Sequence, residues 1–356
     1  MAESDQPRIA RHKAYYTELE EGRTYLWCRC GRSRAQPYCD GSHRGTGFLP
    51  VRYVAAGKGG EVLFCGCKHT KMPPFCDGSH NNLLADYPED DPESEANRAI
   101  PEVAGGADGR AVLNGGCYVF STERAPKTSH GALRHCTVIG PEYGSIHQSQ
   151  FHFETGGAGD PPVIAFGERD VVLFVTEGEV EVTISGRAFA AETHSGVYVA
   201  PGEAFRVAGK AGAPVKFLAS ACPRADAPRW LDRMPENFDA THPERVVPLD
   251  PSQRQGMANR YFQMLVDRSV GSKVVTQFIG HIPLSKAEPH RHLYEEALII
   301  LSGTGCMWTE NLKAPVEAGD VIFLPRKQLH SLEATSPEGM LVVGTIYPGD
   351  NPAINY

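Results

Sequence analysis

The chain has 356 residues, more than one hydrophobic core usually serves, so two or three domains are expected. Charged residues make up 22% of it, and a net charge of −8 argues against nucleic acid or an anionic membrane as the main partner. No apolar run reaches the roughly 18 residues of a membrane helix, and the opening residues lack the basic and apolar regions of a secretory signal, so a cytoplasmic location is expected.

In a reducing compartment, closely spaced cysteines read as metal ligands before they read as disulfides. Six of the ten cysteines lie between positions 28 and 76, and they form a repeat. Cys28-Arg-Cys30, eight residues and Cys39-Asp-Gly-Ser-His43 recur as Cys65-Gly-Cys67, eight residues and Cys76-Asp-Gly-Ser-His80. Pro37-Tyr38 and Pro74-Phe75 precede the third cysteine of each copy. The alternating segments Thr24–Trp27 and Glu61–Phe64 read as strands feeding the first ligand. A C-x-C pair can hold one iron of a cluster while the Cys/His pair holds the other. Asp40, Gly41 and Ser42 suit a tight turn into a helix start, with backbone N–H groups facing the sulfurs. A Cys₃His zinc site needs the same ligand types, but zinc knuckles usually show C-x₂-C, and His12 and His69 fall outside the ligand positions.

The repeat resembles the CDGSH iron–sulfur family over roughly residues 20 to 82, with Ser33 and Pro37 in the first copy and Thr70 and Pro74 in the second at the family's other fixed positions. The resemblance implies two 2Fe–2S clusters, one on Cys28, Cys30, Cys39 and His43, the other on Cys65, Cys67, Cys76 and His80. Residues 1–85 are therefore expected to form a small α+β tandem domain.

An acidic stretch follows. Residues 86–95 hold six acids and two prolines, and 86–104 reads as a solvated linker or one that contacts the more basic first domain. From about 105 the chain is rich in short strands broken by turn residues, the pattern of a sandwich or barrel. Val171 to Pro201 resembles Ala297 to Pro325, with glycine-to-proline separations of 23 and 22 residues, so two related β-domains are expected at 105–222 and 256–356. The proline-rich stretch 223–255 between them reads as a loop with a short helix. Cys117, Cys136, Cys222 and Cys306 stand alone and read as structural.

In the last domain Pro289-His290-Arg-His292-Leu-Tyr-Glu295-Glu296 runs into an apolar strand. On a strand His290, His292 and Glu296 share a face, because side chains alternate with period two; Glu295 should point outward. A later strand ending at Pro325 leads to His330. Three imidazoles and one carboxylate in a barrel make a site for a divalent metal with about two open positions. These residues resemble both motifs of the cupin family, H-x-H-x₃-E-x₆-G (His290, His292, Glu296, Gly303) and G-x₅-P-x₄-H (Gly319, Pro325, His330). The first β-domain has Ala165, Gly167, Val171 and Arg206 at the four ligand positions, so it is expected to be a cupin without a metal. Its His130, His135, His147, His152 and His194 lie outside the motif.

The fold expected is mainly β: a tandem CDGSH iron–sulfur domain followed by two jelly-roll cupin barrels. Because cupins host oxygenases, hydrolases, isomerases and plain binders, the fused clusters decide the reading. They point to a non-haem Fe(II) oxygenase, with Mn or Ni as other metals, acting on a small organic substrate. Oxygen and an external electron donor are the expected co-reactants, Tyr294, Met307 and Trp308 the expected pocket wall, and a homodimer one expected assembly. The alternatives are a metal-dependent bicupin hydrolase or isomerase resembling ureidoglycine aminohydrolase, with the clusters as redox regulators, and a non-enzymatic redox or cluster-transfer protein with a ligand-sensing barrel.

Overall fold

The computed structural model describes residues 6–57, 60–83, 89–156 and 159–356; the start of the acidic stretch at 86–88 lies outside them. The N-terminal unit holds two antiparallel ribbons, Tyr15–Leu19 with Gly60–Phe64 and Thr24–Trp27 with Val51–Val54. The sequence repeat is also a repeat of geometry. Cys28 N–H donates to Pro37 O at 2.8 Å and Cys65 N–H to Pro74 O at 2.9 Å; Cys39 and Cys76 donate to Leu26 O and Leu63 O at 2.7 and 2.8 Å. Trp27 and Phe64, both fully buried, occupy equivalent places and anchor one small core with Tyr25, Cys65 and Cys67. The helix start expected after each third cysteine is a turn at Gly41–Gly45 and a short 3₁₀ helix at Ser79–Asn82.

Each β-domain is two sheets around a core. The first has a seven-stranded sheet, with Asp170–Glu177 and Val215–Cys222 near its centre, facing a five-stranded one. The second faces an eight-stranded sheet, centred on Met340–Tyr347 and Glu295–Ser302, with a four-stranded one. The outer faces of the two large sheets pack on each other through Phe174, Leu218, Ile279, Ile299, Phe323 and Val343. This explains why central strands read as unbroken apolar runs rather than alternating ones. Along Glu295–Ser302, Glu296, Leu298 and Ile300 face the barrel interior, while Ala297 and Ile299 face the neighbouring barrel.

Three expectations of domain layout need correction. Arg110–Val112 and Tyr118–Ser121, placed by sequence with the first barrel, extend the large sheet of the second, where Tyr118–Ser121 pairs with Asp320–Leu324. They cover what is otherwise an open sheet edge. Residues 223–255 hold a short helix, the 3₁₀ turn Pro251–Gln253, but are not otherwise all loop: Arg229–Leu231 and Val246–Val247 add edge strands to the first barrel. Arg245 fixes that segment, fully buried and bidentate to Glu203 at 2.8 and 3.0 Å. The described part of the acidic linker is not free in solvent. Asp90 pairs with buried Lys286, Val103 N–H donates to Lys313 O at 2.7 Å, and a short helix, Glu95–Arg98, is capped by Ser94. It lies along the second barrel, not the first domain.

Candidate metal centre and cluster sites

The strand Glu295–Ser302 begins five residues after His290, so His290 and His292 precede the sheet rather than lie in it. An isolated antiparallel bridge, with His290 N–H to His330 O at 3.0 Å and His330 N–H to His290 O at 3.1 Å, holds the two motifs together. The imidazoles converge: one ring nitrogen from each of His290, His292 and His330 lies within 4.8 Å of the others. Among the described residues this is the one group of three or more potential ligands so placed. Glu296 joins it, Oε2 lying 3.6 Å from His292 Nε2. The positions matching these ligands in the first barrel, Ala165, Gly167, Val171 and Arg206, hold no such group.

The tautomers follow from the hydrogen bonds. Each Nδ1 faces a backbone carbonyl: His290 that of Glu288 at 2.9 Å, His292 that of Ile354 at 3.2 Å and His330 that of Gln328 at 2.9 Å. A carbonyl only accepts, so each Nδ1 carries the proton and each Nε2 keeps its lone pair for a metal. Burial holds the His290 and His292 rings well below the usual imidazole range and His330 down to about 4, so all three are neutral at pH 7. Burial also pushes the Glu296 carboxyl up to about 8. An uncharged carboxyl and three neutral imidazoles in a buried site are a donor set that fits a divalent cation, whose charge would hold the carboxylate ionised. The ligands line a cavity of about 110 Å³ whose wall includes the apolar Phe262, Phe278, Leu298, Met307, Leu324 and Val342 and the polar Arg260, Tyr261, His281 and Asn355.

Met307 lines this cavity as expected, but Tyr294 and Trp308 do not. Trp308 is next to Met307 on Thr304–Trp308 and so points to the other face, where its Nε1–H donates to Glu333 at 2.8 Å. Tyr294 stacks behind the His292 ring with centroids 4.6 Å apart. Glu295, expected to face solvent, is 2% exposed. It accepts from Ser145 Oγ at 2.9 Å and from the N–H groups of Ile146, His147 and Gln148 at 2.9, 3.1 and 3.1 Å, pinning a first-barrel loop to the second barrel.

In the N-terminal unit, Cys28 and Cys30 sulfurs lie 3.7 Å apart, and Cys39 Sγ lies 3.1 Å from His43 Nδ1. The second copy gives 3.4 Å for Cys65 and Cys67 and 3.5 Å for Cys76 and His80 Nδ1. These separations suit two ligands of one iron, and Nδ1 is the nitrogen turned toward the cysteine sulfur in both copies. Hydrogen bonding from Cys67 holds the Cys65 thiol down to about 6, and N–H groups of Arg32, Gly41, Lys68 and His69 point at sulfurs. Asp40 and Asp77 serve the loops: each accepts from the residue two ahead and from a backbone N–H six behind, at Arg34 and Lys71. Lys68, with no signal in the repeat, is buried between the two ligand sets, its ammonium 4.7 Å over the Trp27 ring and donating to Cys65 O.

The second copy is the one set against the barrels. Glu61, just ahead of it, pairs with Arg326 at 3.0 Å and with Lys327, in the segment leading to His330. The last residues of the chain also enter here: His80 Nε2 faces Asn355 Oδ1 at 3.3 Å, and Asn81 Nδ2 donates to Ala353 O at 2.7 Å. Sequence reading missed Asn355, which also lines the cupin cavity; a short polar tail carries no motif to mark it.

Comparison with known proteins fits this layout. The family described as iron-binding zinc finger CDGSH type matches residues 5–44, and the cupin domain family matches 282–347. Two CDGSH iron-sulfur domain-containing protein 3 sequences, both named mitochondrial, are similar: the mouse protein at 47% identity over 51 residues (14% of this chain, 37% of that one) and the human protein at 55% over 40 (11% and 32%). The chain thus spans about a third of the length of these curated relatives. Protein Ylba from E. coli shares the fold of the β-rich part, at a TM-score of 0.50 and 13% identity over 72% of this chain and 99% of that one. The chain therefore joins an N-terminal CDGSH-type iron–sulfur domain to a C-terminal metal-binding cupin domain in a mainly β protein.

Proposed function

We propose that the protein is a non-haem iron cupin oxygenase acting on a small organic substrate, with two 2Fe–2S clusters as its built-in electron donors. The observation that carries this reading is the docking of the cluster-bearing unit onto the same barrel, and the same end of it, that holds the three-histidine site. A hydrolase or isomerase has no use for electrons there. Iron bound by His290, His292, Glu296 and His330 would supply open positions for oxygen or substrate and a one-electron couple.

The chain's own groups do the rest. The carbonyls of Glu288, Ile354 and Gln328 fix the three ring orientations. Tyr294 packs behind His292 and keeps it from rotating. The apolar side chains of Phe262, Phe278, Leu298 and Val342 lower the polarity beside the site, which strengthens electrostatics there. Its size suits a small molecule rather than a polymer. An external one-electron donor is the partner the clusters call for.

Reductase-driven oxygen consumption tests the reading. Cys39→Ser is expected to abolish it while leaving the cupin metal bound, because electrons then lack an entry. Unchanged consumption in a variant that has lost a cluster would sink the proposal.

A further inference from the structure

The last four residues touch one ligand of each centre. Ile354 offers its carbonyl to His292 Nδ1–H at 3.2 Å, and the neighbouring Asn355 offers Oδ1 to His80 Nε2–H at 3.3 Å. The segment is held from both sides. Asn81 Nδ2 binds Ala353 O at 2.7 Å, Tyr356 and Arg291 exchange N–H···O bonds at 3.2 Å, and the Tyr356 ring stacks on Tyr16 at 5.4 Å. Gly78 packs directly against Ala353, where a Cβ on the glycine would come within 2.7 Å. Asn355 is buried, its Oδ1 faces the cluster-motif histidine, and the residue borders the cupin cavity.

The two copies of the repeat differ in this respect. His80 is 2% exposed. His43 is only half-buried, and Ser42, Arg44 and Gly45 around it are exposed. One cluster site is thus open to an outside donor while the other is closed over by the barrel.

We propose that the tail Ala353–Tyr356 couples the second cluster site to the cupin centre, with Asn355 as the positioning residue, so that filling the cupin site alters the second cluster and leaves the first unchanged. The hydrogen bond from His80 Nε2–H to Asn355 makes Nδ1 a stronger donor to its iron, favouring the oxidised cluster. A metal on His292 tightens the bond to Ile354 O and sets where Asn355 sits. This rests on the reading that both copies hold 2Fe–2S clusters, but not on the oxygenase reaction.

Potentiometric titration of full-length chains at fixed pH tests it, with redox-inert Zn(II) in the cupin site or without it. Cys39→Ser isolates the second cluster and Cys76→Ser the first. Zinc is expected to shift the reduction potential in Cys39→Ser and leave it unchanged in Cys76→Ser. Adding Asn355→Ala to Cys39→Ser should raise the potential and remove the response to zinc; Asn355→Asp, which keeps the acceptor, should preserve the response. An equal shift of both clusters, or a shift that survives Asn355→Ala, would overturn the coupling. Failure of either single-site variant to hold a cluster would overturn the cluster reading with it.

Discussion

Replacing Glu295 by alanine tests the division of labour between two adjacent carboxylates, Glu295 and Glu296. The side chain accepts four hydrogen bonds from the loop 145–148. Truncation removes that shared acceptor at the junction of the two barrels. Ile146 is 68% exposed, so its N–H can return to water, and Ser145 Oγ keeps Gln148 O as an acceptor at 2.5 Å, whereas Gln148 is 0% exposed and its N–H retains only a long 3.4 Å bond to Ser145 Oγ. A poorly satisfied buried donor costs about 1–3 kcal/mol; the single Gln148 N–H puts the loss at about 2 kcal/mol. Urea denaturation followed by circular dichroism reads this loss, and elemental analysis of the same sample should show metal content unchanged. Glu296→Ala should do the reverse, weakening metal binding by more than ~10-fold with little effect on the fold. If Glu295→Ala stripped the metal and left stability intact, the assignment of the two carboxylates would be wrong.

Metal binding at pH 7 should release about one proton, because Glu296, held up to about 8, is protonated in the metal-free site while the three histidines are already neutral. Calorimetry in buffers of different ionisation enthalpy reads this, and Glu296→Gln should release none. The same shift has a sign for the metal-free protein. A carboxyl raised in the folded state binds its proton more tightly there, so this contribution to stability fades as pH climbs from the ordinary carboxylate range through about 8. The lowered histidines act oppositely, with stability lost as pH falls below the usual imidazole value toward about 4. Asp90→Ala should cost about 3 kcal/mol by leaving the Lys286 ammonium, 2% exposed, without its counter-ion. Although burial alone would raise the Asp90 carboxyl, hydrogen bonds from Lys286 and Asn97 hold it low, so the pair's contribution should vanish only as pH drops through that lowered value. Unfolding curves at pH 3 and pH 7 check this.

The ligand sets were legible because ligand spacing is a local property: C-x-C, Cys-Asp-Gly-Ser-His and the two cupin motifs each fit within a few residues of chain. What was not legible depended on neighbours far along the chain. Glu295 does sit on the outward face of its strand, as alternation requires, but that face meets the other barrel instead of water. Tyr118–Ser121 has the right pattern for a strand, and pattern alone does not say which sheet it joins. Met307 and Trp308 were both expected in the cavity wall, although consecutive strand residues point to opposite faces. The acidic linker reads as solvated by composition, yet Asp90 and Val103 find partners on the second barrel. Asn355 is the hardest case: its position matters only because the tail closes over His80.

Iron counting tests the central claim most directly. Protein purified anaerobically should contain about five irons per chain, two in each of two clusters and one in the barrel, and His330→Ala should bring this to about four. Four irons with manganese or zinc in the barrel would contradict an iron oxygenase and favour a metal-dependent hydrolase or isomerase.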